Sequence, residues 1–178
     1  MNFKKWATLE SKHILKGHIF RYVQVKRQSP TTNEVGEFDI IQCQNWVNVI
    51  AITAEQKIVL IRQYRHGTDS YTVEIPGGAI NFNEDAFVGA KRELEEETGY
   101  TSENWVHLGS VEVNPAFMSN KCETYLALDA KKTTVQNLDP FEEIEVFLDD
   151  VNNINELVKK GEITHSLVIA AFYLYQQL

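Results

Sequence analysis

An α/β fold, with helices flanking a mixed sheet, is what the order of elements along this chain predicts: β-rich, one helix, β-rich again, then helices. Two observations carry that prediction. Apolar runs bounded by turn formers lie on both sides of residues 83–98, and that stretch has the clearest helical periodicity. From Val151 onward, two further helical runs fill the tail.

The elements follow in order. Ile19 to Val25 alternates like a half-buried strand, and Phe38 to Gln44 is its return partner. Ser29 to Gly36, dense in Ser, Pro, Thr and Asn, joins them as a hairpin connection. Residues 1–45 therefore form a small antiparallel β unit, marginal alone and needing a partner surface; residues 46–178 form the main domain. Val47 to Thr53 and Lys57 to Gln63 are apolar β runs split by Ala54-Glu55-Gln56, and Tyr71 to Ile75 is a further strand ended by Pro76-Gly77-Gly78. The central helix starts from a cap at Asn81, with Glu84 three residues on, or at Asn83. Gly99 is placed to close it in a left-handed conformation. Val106 to Asn114, Glu123 to Leu128 and Ile144 to Leu148 are strands; Val151 to Lys160 and His165 to Leu178 are helices.

Composition removes several functions. A net charge of −8 is the wrong sign for a general grip on DNA or on an anionic membrane. It leaves room for a nucleotide, which arginines or bound cations can hold locally. Cys43 and Cys122 are far apart and have no metal-ligand spacing, so a reducing, cytoplasmic setting is expected and a zinc site is not. No apolar run approaches the ~18 residues of a membrane span.

The chemistry concentrates in Gly78 to Tyr100. Glu93 and Glu97 lie one turn apart and Glu96 beside them, so three carboxylates share a ~100° arc. Phe87, Ala90 and Leu94 form a separate apolar stripe suited to packing on a sheet. Such an acidic face usually is only solvated. Like charges at this spacing cost a few tenths of a kcal/mol per pair, and Arg92 alone cannot neutralise them; a hard divalent cation can.

Here the acids sit inside a longer pattern. Gly78, five residues, Glu84, seven residues, then Arg92-Glu93-Leu94-Glu95-Glu96-Glu97-Thr98-Gly99 resembles the box of Nudix hydrolases, with Tyr100 a mild departure at the last position. The resemblance implies an α/β/α sandwich that hydrolyses a pyrophosphate bond with Mg2+, or alternatively Mn2+. Carried over by position, it implies metal ligation by Glu93, Glu96, Glu97 and the Gly77 carbonyl, with Arg92 orienting the glutamates. Arg62-Gln63-Tyr64-Arg65, Glu74-Ile75-Pro76-Gly77-Gly78 and Pro115 look like the ADP-ribose and nucleotide-sugar branch, although Asn114 to Asn120 lacks that branch's Pro-Gly-aromatic pattern. The same branch implies a late acid that binds metal or deprotonates water, at Glu142 or alternatively Glu143, and a homodimer formed through the N-terminal β unit. Arg62 and Arg65 are candidate phosphate binders; Trp46 and Phe117 are candidates to stack on a base. The expected substrate is ADP-ribose or a related nucleotide sugar, cleaved to a nucleoside monophosphate and a sugar phosphate, with no nucleic acid or membrane partner. The alternatives are a house-cleaning nucleoside triphosphatase and a non-catalytic nucleotide-binding domain.

Overall fold

The structure, a computed structural model, describes residues 4–178, so Met1-Asn2-Phe3 of the N-terminal unit lie outside the described residues. The chain forms two compact units: residues up to Gln44 together with Glu112–Lys121, and Asn45–Val111 together with Cys122–Leu178.

The first unit is an antiparallel sheet in the order β1 (Ala7–Lys16), β2 (Phe20–Gln28), β3 (Val35–Cys43). The Ser29 to Glu34 turn is closed by Ser29, whose N–H donates to the Glu34 carbonyl and whose Oγ accepts from Thr31 and Thr32. The unit also contains the turn at Asn114 to Met118, which is pinned to β3: Ile41 donates to the Phe117 carbonyl at 2.8 Å and accepts from Ser119 at 3.1 Å. Every residue of β1, an edge strand, is exposed.

The second unit holds β4 (Trp46–Ala51), β5 (Lys57–Arg65), β6 (Ser70–Glu74), β7 (Gly77–Ala79), α1 (Ala86–Thr98), β8 (Tyr100–Thr101), β9 (Asn104–Glu112), β10 (Lys121–Leu128), β11 (Lys131–Lys132), β12 (Ile144–Asp150), a 3-10 turn at Val151–Asn153, α2 (Ile154–Lys159) and α3 (Ser166–Tyr175). Four strands make a mixed sheet, β7-β4-β10-β9, in which β4 and β10 run parallel. Three more make the antiparallel sheet β12-β5-β6. One apolar cluster joins Val47, Val49 and Val59 to Ala90 and Leu94 of α1. A second joins Ile50, Ile58 and Leu60 to Ile154, Val168 and Phe172 of the tail. Successive strand residues point to opposite faces, so these clusters put α1 on one side of the strands and α2 and α3 on the other. That is the expected helix–sheet–helix sandwich.

The start of α1 differs from expectation. Asp85 is its N-cap, accepting from the Phe87 and Val88 N–H groups, rather than Asn81 or Asn83. Asn83 stands at φ +64°, a left-handed conformation that asparagine tolerates, and it turns the chain into the helix. Asn81 instead donates its N–H to Glu84 at 2.8 Å. At the other end Gly99 has φ +74°, and a Cβ there would lie 2.3 Å from the Thr134 carbonyl oxygen, so both the backbone and the packing demand glycine.

Candidate active site

The glutamates of α1 divide by environment. Glu97 is buried, with 4% of its surface exposed, and its Oε2 accepts the Gly77 N–H at 2.8 Å. Glu93 faces Gly78 so closely that a Cβ at Gly78 would lie 2.7 Å from the carboxylate carbon. Gly77 is needed for a separate reason: a Cβ on it would lie 2.2 Å from the Val47 carbonyl oxygen of the neighbouring strand. The glycine pair thus lets β7 run against β4 on one side and admits the α1 carboxylates on the other. Glu96 lies at the rim and is turned toward Arg92.

Arg92 holds the acidic face together. Its Nε and Nη2 donate to the two oxygens of Glu84 at 2.8 and 2.9 Å, and Nη1 donates to Glu93 at 2.7 Å and Glu96 at 2.9 Å. Nη2 also reaches the Ala79 carbonyl at 3.1 Å. The Arg92 hydrogen bonds pull the Glu84 pKa down to about 2, against the opposing effect of burial. They raise that of Arg92 in turn, Glu84 being the largest contributor.

Glu93 and Glu97 both shift the other way from Glu84. Burial drives the Glu97 pKa well above the carboxylate range; the Gly77 N–H opposes this, and the charges of Glu93 and Glu142 add to it. Burial also raises Glu93, with Arg92 opposing and Glu96 and Glu142 adding. A buried carboxylate, Glu97, and a half-buried one, Glu93, therefore lie in each other's field with one N–H and one shared guanidinium edge to serve them. That is too little positive charge for a pair of ionised acids. All-oxygen donors with excess negative charge fit a hard divalent cation. Among the described residues, no three acidic, histidine or cysteine side chains form a ready-made cage.

The loop after β11 is tied to the end of α1. Thr133 and Thr134 donate to the Gly99 carbonyl, Asn137 donates to the Glu96 carbonyl, and Gln136 Nε2 bridges the Glu97 carbonyl at 2.7 Å and the Ile144 carbonyl at 3.1 Å. This tether brings Glu142 within electrostatic reach of Glu93, Glu97 and Arg65. Glu142 itself is exposed, and its carboxylate accepts from the Asp139 N–H at 3.1 Å. Glu143, the alternative late acid, is exposed as well.

The two arginines of β5 part company. Arg65 is held by buried Glu74 through Nε at 2.7 Å and Nη2 at 2.6 Å, on the strand face shared with Gln63 and Ile61, and it senses the charges of Glu97 and Glu142. Arg62 lies on the opposite face, where it pairs with Glu145 at 2.6 Å and stacks over Phe147. The structure therefore does not bring Arg62 to the carboxylates. Nor does it bring Trp46 together with the glutamates, since α1 packs on the other face of β4. Trp46 is half-buried on the β4 face of Asn48 and Ile50, the α3 side, and Phe117 is an exposed ring in the other compact unit. Glu74 and Gln136 were not singled out as site-building residues. Glu74 lay in view within Glu74-Ile75-Pro76-Gly77-Gly78, whereas Gln136 has no local signal.

A family model described as "NUDIX domain" matches residues 44–172, most of the chain. The chain belongs to the NUDIX domain family. It is a Nudix hydrolase, and similarity extends over nearly its whole length. It is 34% identical to a methanol dehydrogenase activator of Bacillus methanolicus over 96% of this chain and 92% of that protein. It is 29% identical to an ADP-ribose pyrophosphatase of Bacillus subtilis (strain 168) over 88% of this chain and 87% of that one. A crystal structure of an ADP compounds hydrolase superposes with a TM-score of 0.86, covering 99% of this chain and 95% of that one at 19% identity, which speaks for the Nudix fold.

Proposed function

We propose that this Nudix hydrolase cleaves the pyrophosphate of ADP-ribose or a related nucleotide sugar with Mg2+, releasing a nucleoside monophosphate and a sugar phosphate. The observation that carries the proposal is the half-buried Glu93 and buried Glu97 carboxylates, set against Gly77-Gly78 with Arg65 and Glu142 in electrostatic reach. The ADP-ribose pyrophosphatase similarity supports the substrate class.

Glu93, Glu96, Glu97 and Glu142, with the Gly77 carbonyl, would hold the cation. When bound, it neutralises diphosphate oxygens and acidifies a coordinated water. The chain's own groups do the rest. Arg92 restrains the rotamers of Glu93 and Glu96 through its Nη1 hydrogen bonds. Arg65 offers a guanidinium to a diphosphate oxygen. Glu142, on its tethered loop, accepts the proton of the attacking water as that oxygen bonds to phosphorus and the bridging P–O bond breaks. The test is a panel of ADP-ribose, NDP-hexoses, dinucleotides and NTPs with Mg2+, beside Glu96→Gln and Glu97→Gln. Turnover of diphosphate esters abolished in both variants is expected; NTP turnover far above the esters would reverse the substrate assignment.

A homodimer is part of the proposal. The fully exposed edge strand β1 carries Leu9, Ile14 and Leu15, each more than two-fifths exposed, and a second copy would cover them. Light scattering on the eluted protein would show twice the mass of one chain. A second reading rests on the Bacillus methanolicus relative: the hydrolase acts in support of a dehydrogenase. Adding the protein, or its Glu97→Gln variant, to a methanol dehydrogenase assay separates that reading from free nucleotide-sugar hydrolysis.

A further inference from the structure

We propose that Glu74 is a positioning residue for the diphosphate: it holds Arg65 by the side of its guanidinium, so that the free Nη1 amine is presented to a phosphate oxygen. This deepens the proposed function and rests on that reading.

The geometry is specific. Glu74 is 3% exposed, yet both of its oxygens are engaged: Oε1 accepts from Arg65 Nε at 2.7 Å and Oε2 from Nη2 at 2.6 Å. Thr72 Oγ1, two residues back on the same strand face, donates to Oε1 at 2.6 Å and fixes the carboxylate from behind. Cross-strand register places Thr72 opposite Gln63 and Glu74 opposite Ile61, so Arg65, Gln63, Thr72 and Glu74 share one face of the β5–β6 pair. A guanidinium gripped through Nε and Nη2 keeps its Nη1 hydrogens and one Nη2 hydrogen free, and among the described residues Nη1 meets no protein acceptor. Arg65 remains partly exposed, and its charge is felt by Glu97 and Glu142, so that free edge lies in the field of the acidic cluster.

A buried ion pair by itself is weak evidence of any role. The asymmetry of this one argues for more. The carboxylate end is buried and anchored three times over, whereas the cationic end stays two-fifths exposed and half-employed. A long flexible arginine loses rotamer freedom when it binds a ligand; one already locked by a fork has less left to lose. Gln63 Nε2, buried on the same face with no partner, is a second donor beside it.

The test is a double-mutant cycle on kcat/KM for ADP-ribose with Mg2+, using wild type, Glu74→Gln, Arg65→Lys and the double variant, with Tm measured for each. Lysine keeps the charge but cannot form the side-on fork. Arg65→Lys is expected to lower kcat/KM about 10–100-fold. Glu74→Gln is expected to lower it about tenfold, chiefly through KM. In the lysine background, Glu74→Gln costs less than about twofold if it acts only through the arginine. Additive losses, or a Glu74→Gln protein that melts lower yet keeps kcat/KM within about twofold, would overturn the proposal. Should Glu74→Gln fail to fold, Thr72→Val removes the rear hydrogen bond at constant shape and is entered into the same cycle, with the same criterion. Wild type without turnover would instead defeat the catalytic reading. The cycle is then read from calorimetric ADP-ribose affinities, where additivity again overturns the positioning role.

Discussion

Adding one methyl group at Gly78 separates catalytic geometry from stability. The backbone of Gly78 lies outside the left-handed region, so alanine meets no conformational penalty; the obstacle is steric alone. Its Cβ would lie 2.7 Å from the Glu93 carboxylate carbon and from Oε2, and 2.8 Å from Oε1. Carbon contacts settle near ~3.5–4.0 Å, so the carboxylate must retreat by about 1 Å. A displacement of about 1 Å in a reacting group costs about 10²-fold in rate. The stability cost is smaller, about 1–2 kcal/mol, because a side-chain end can move aside. We therefore expect Gly78→Ala to lower kcat/KM for ADP-ribose about 10²-fold while Tm falls by only a few degrees. Gly77→Ala is the control. Its Cβ would collide with the Val47 carbonyl oxygen at 2.2 Å, and backbone in a paired strand cannot step aside. That variant should lose stability first, by 3 kcal/mol or more on the order of a broken strand pairing. Steady-state kinetics beside thermal melts decide the matter. A Gly78→Ala enzyme with undiminished kcat/KM would refute the claim that Glu93 must sit where the structure places it.

Three further outcomes follow from the same geometry. Glu97→Gln removes a carboxyl whose ionised form burial penalises, so without divalent metal the variant should melt slightly above wild type, and the stabilisation by saturating Mg2+, about 2–3 kcal/mol at a hundredfold excess over Kd and read as a rise in Tm, should be largely lost; an equal Mg2+ response in both proteins would contradict the metal assignment. Glu84, whose pKa Arg92 depresses to about 2, contributes stability that is present above its unfolded value near ~4.5 and lost as pH falls through about 2. Melting curves of wild type and Glu84→Gln should thus differ by about 1–2 kcal/mol near neutrality, after allowance for solvent screening, and converge toward pH 2; parallel curves would show no such linkage. Arg62→Ala, which frees only Glu145 and Phe147, should leave kcat/KM within about threefold of wild type, and a loss like that of Arg65→Lys would return it to the phosphate site.

How much of this was legible beforehand depends on whether the signal is local. The C-terminus of α1 was readable because a chain leaving a helix in the left-handed region needs glycine, and Gly99 is there. The N-terminus was not, because Asn81, Asn83 and Asp85 can all cap. The choice of Asp85 follows from the turn at Asn83 and from the use of Asn81 to hold Glu84, neither of which periodicity reports. The acidic face of α1 was visible as spacing, but its division into buried Glu97, half-buried Glu93 and the rim acid Glu96 depends on the glycines of β7 arriving from elsewhere in the chain. Arg62 and Arg65, three residues apart, could share a strand face only if the strand bent between them, and in β5 they lie on opposite faces. Gln136 lies in an irregular segment where no period exists to be read, and only the folded chain shows it clasping α1 to β12.

The parallel pairing of β4 with β10 also governs the order in which this enzyme can assemble. Trp46 through Ala51 pairs early with Gly77 through Ala79, but its parallel neighbour is Cys122 through Ala127, which leaves the ribosome after the whole of α1. A nascent chain ending inside the helix already holds every glutamate of the Nudix box, yet it lacks the strand that completes the floor beneath them. Such long-range closure slows folding toward the millisecond-to-second range and favours a single late, cooperative step. Catalytic competence should therefore appear together with the last strands rather than with the motif, and fragments truncated before Lys121 should be inert however complete their box.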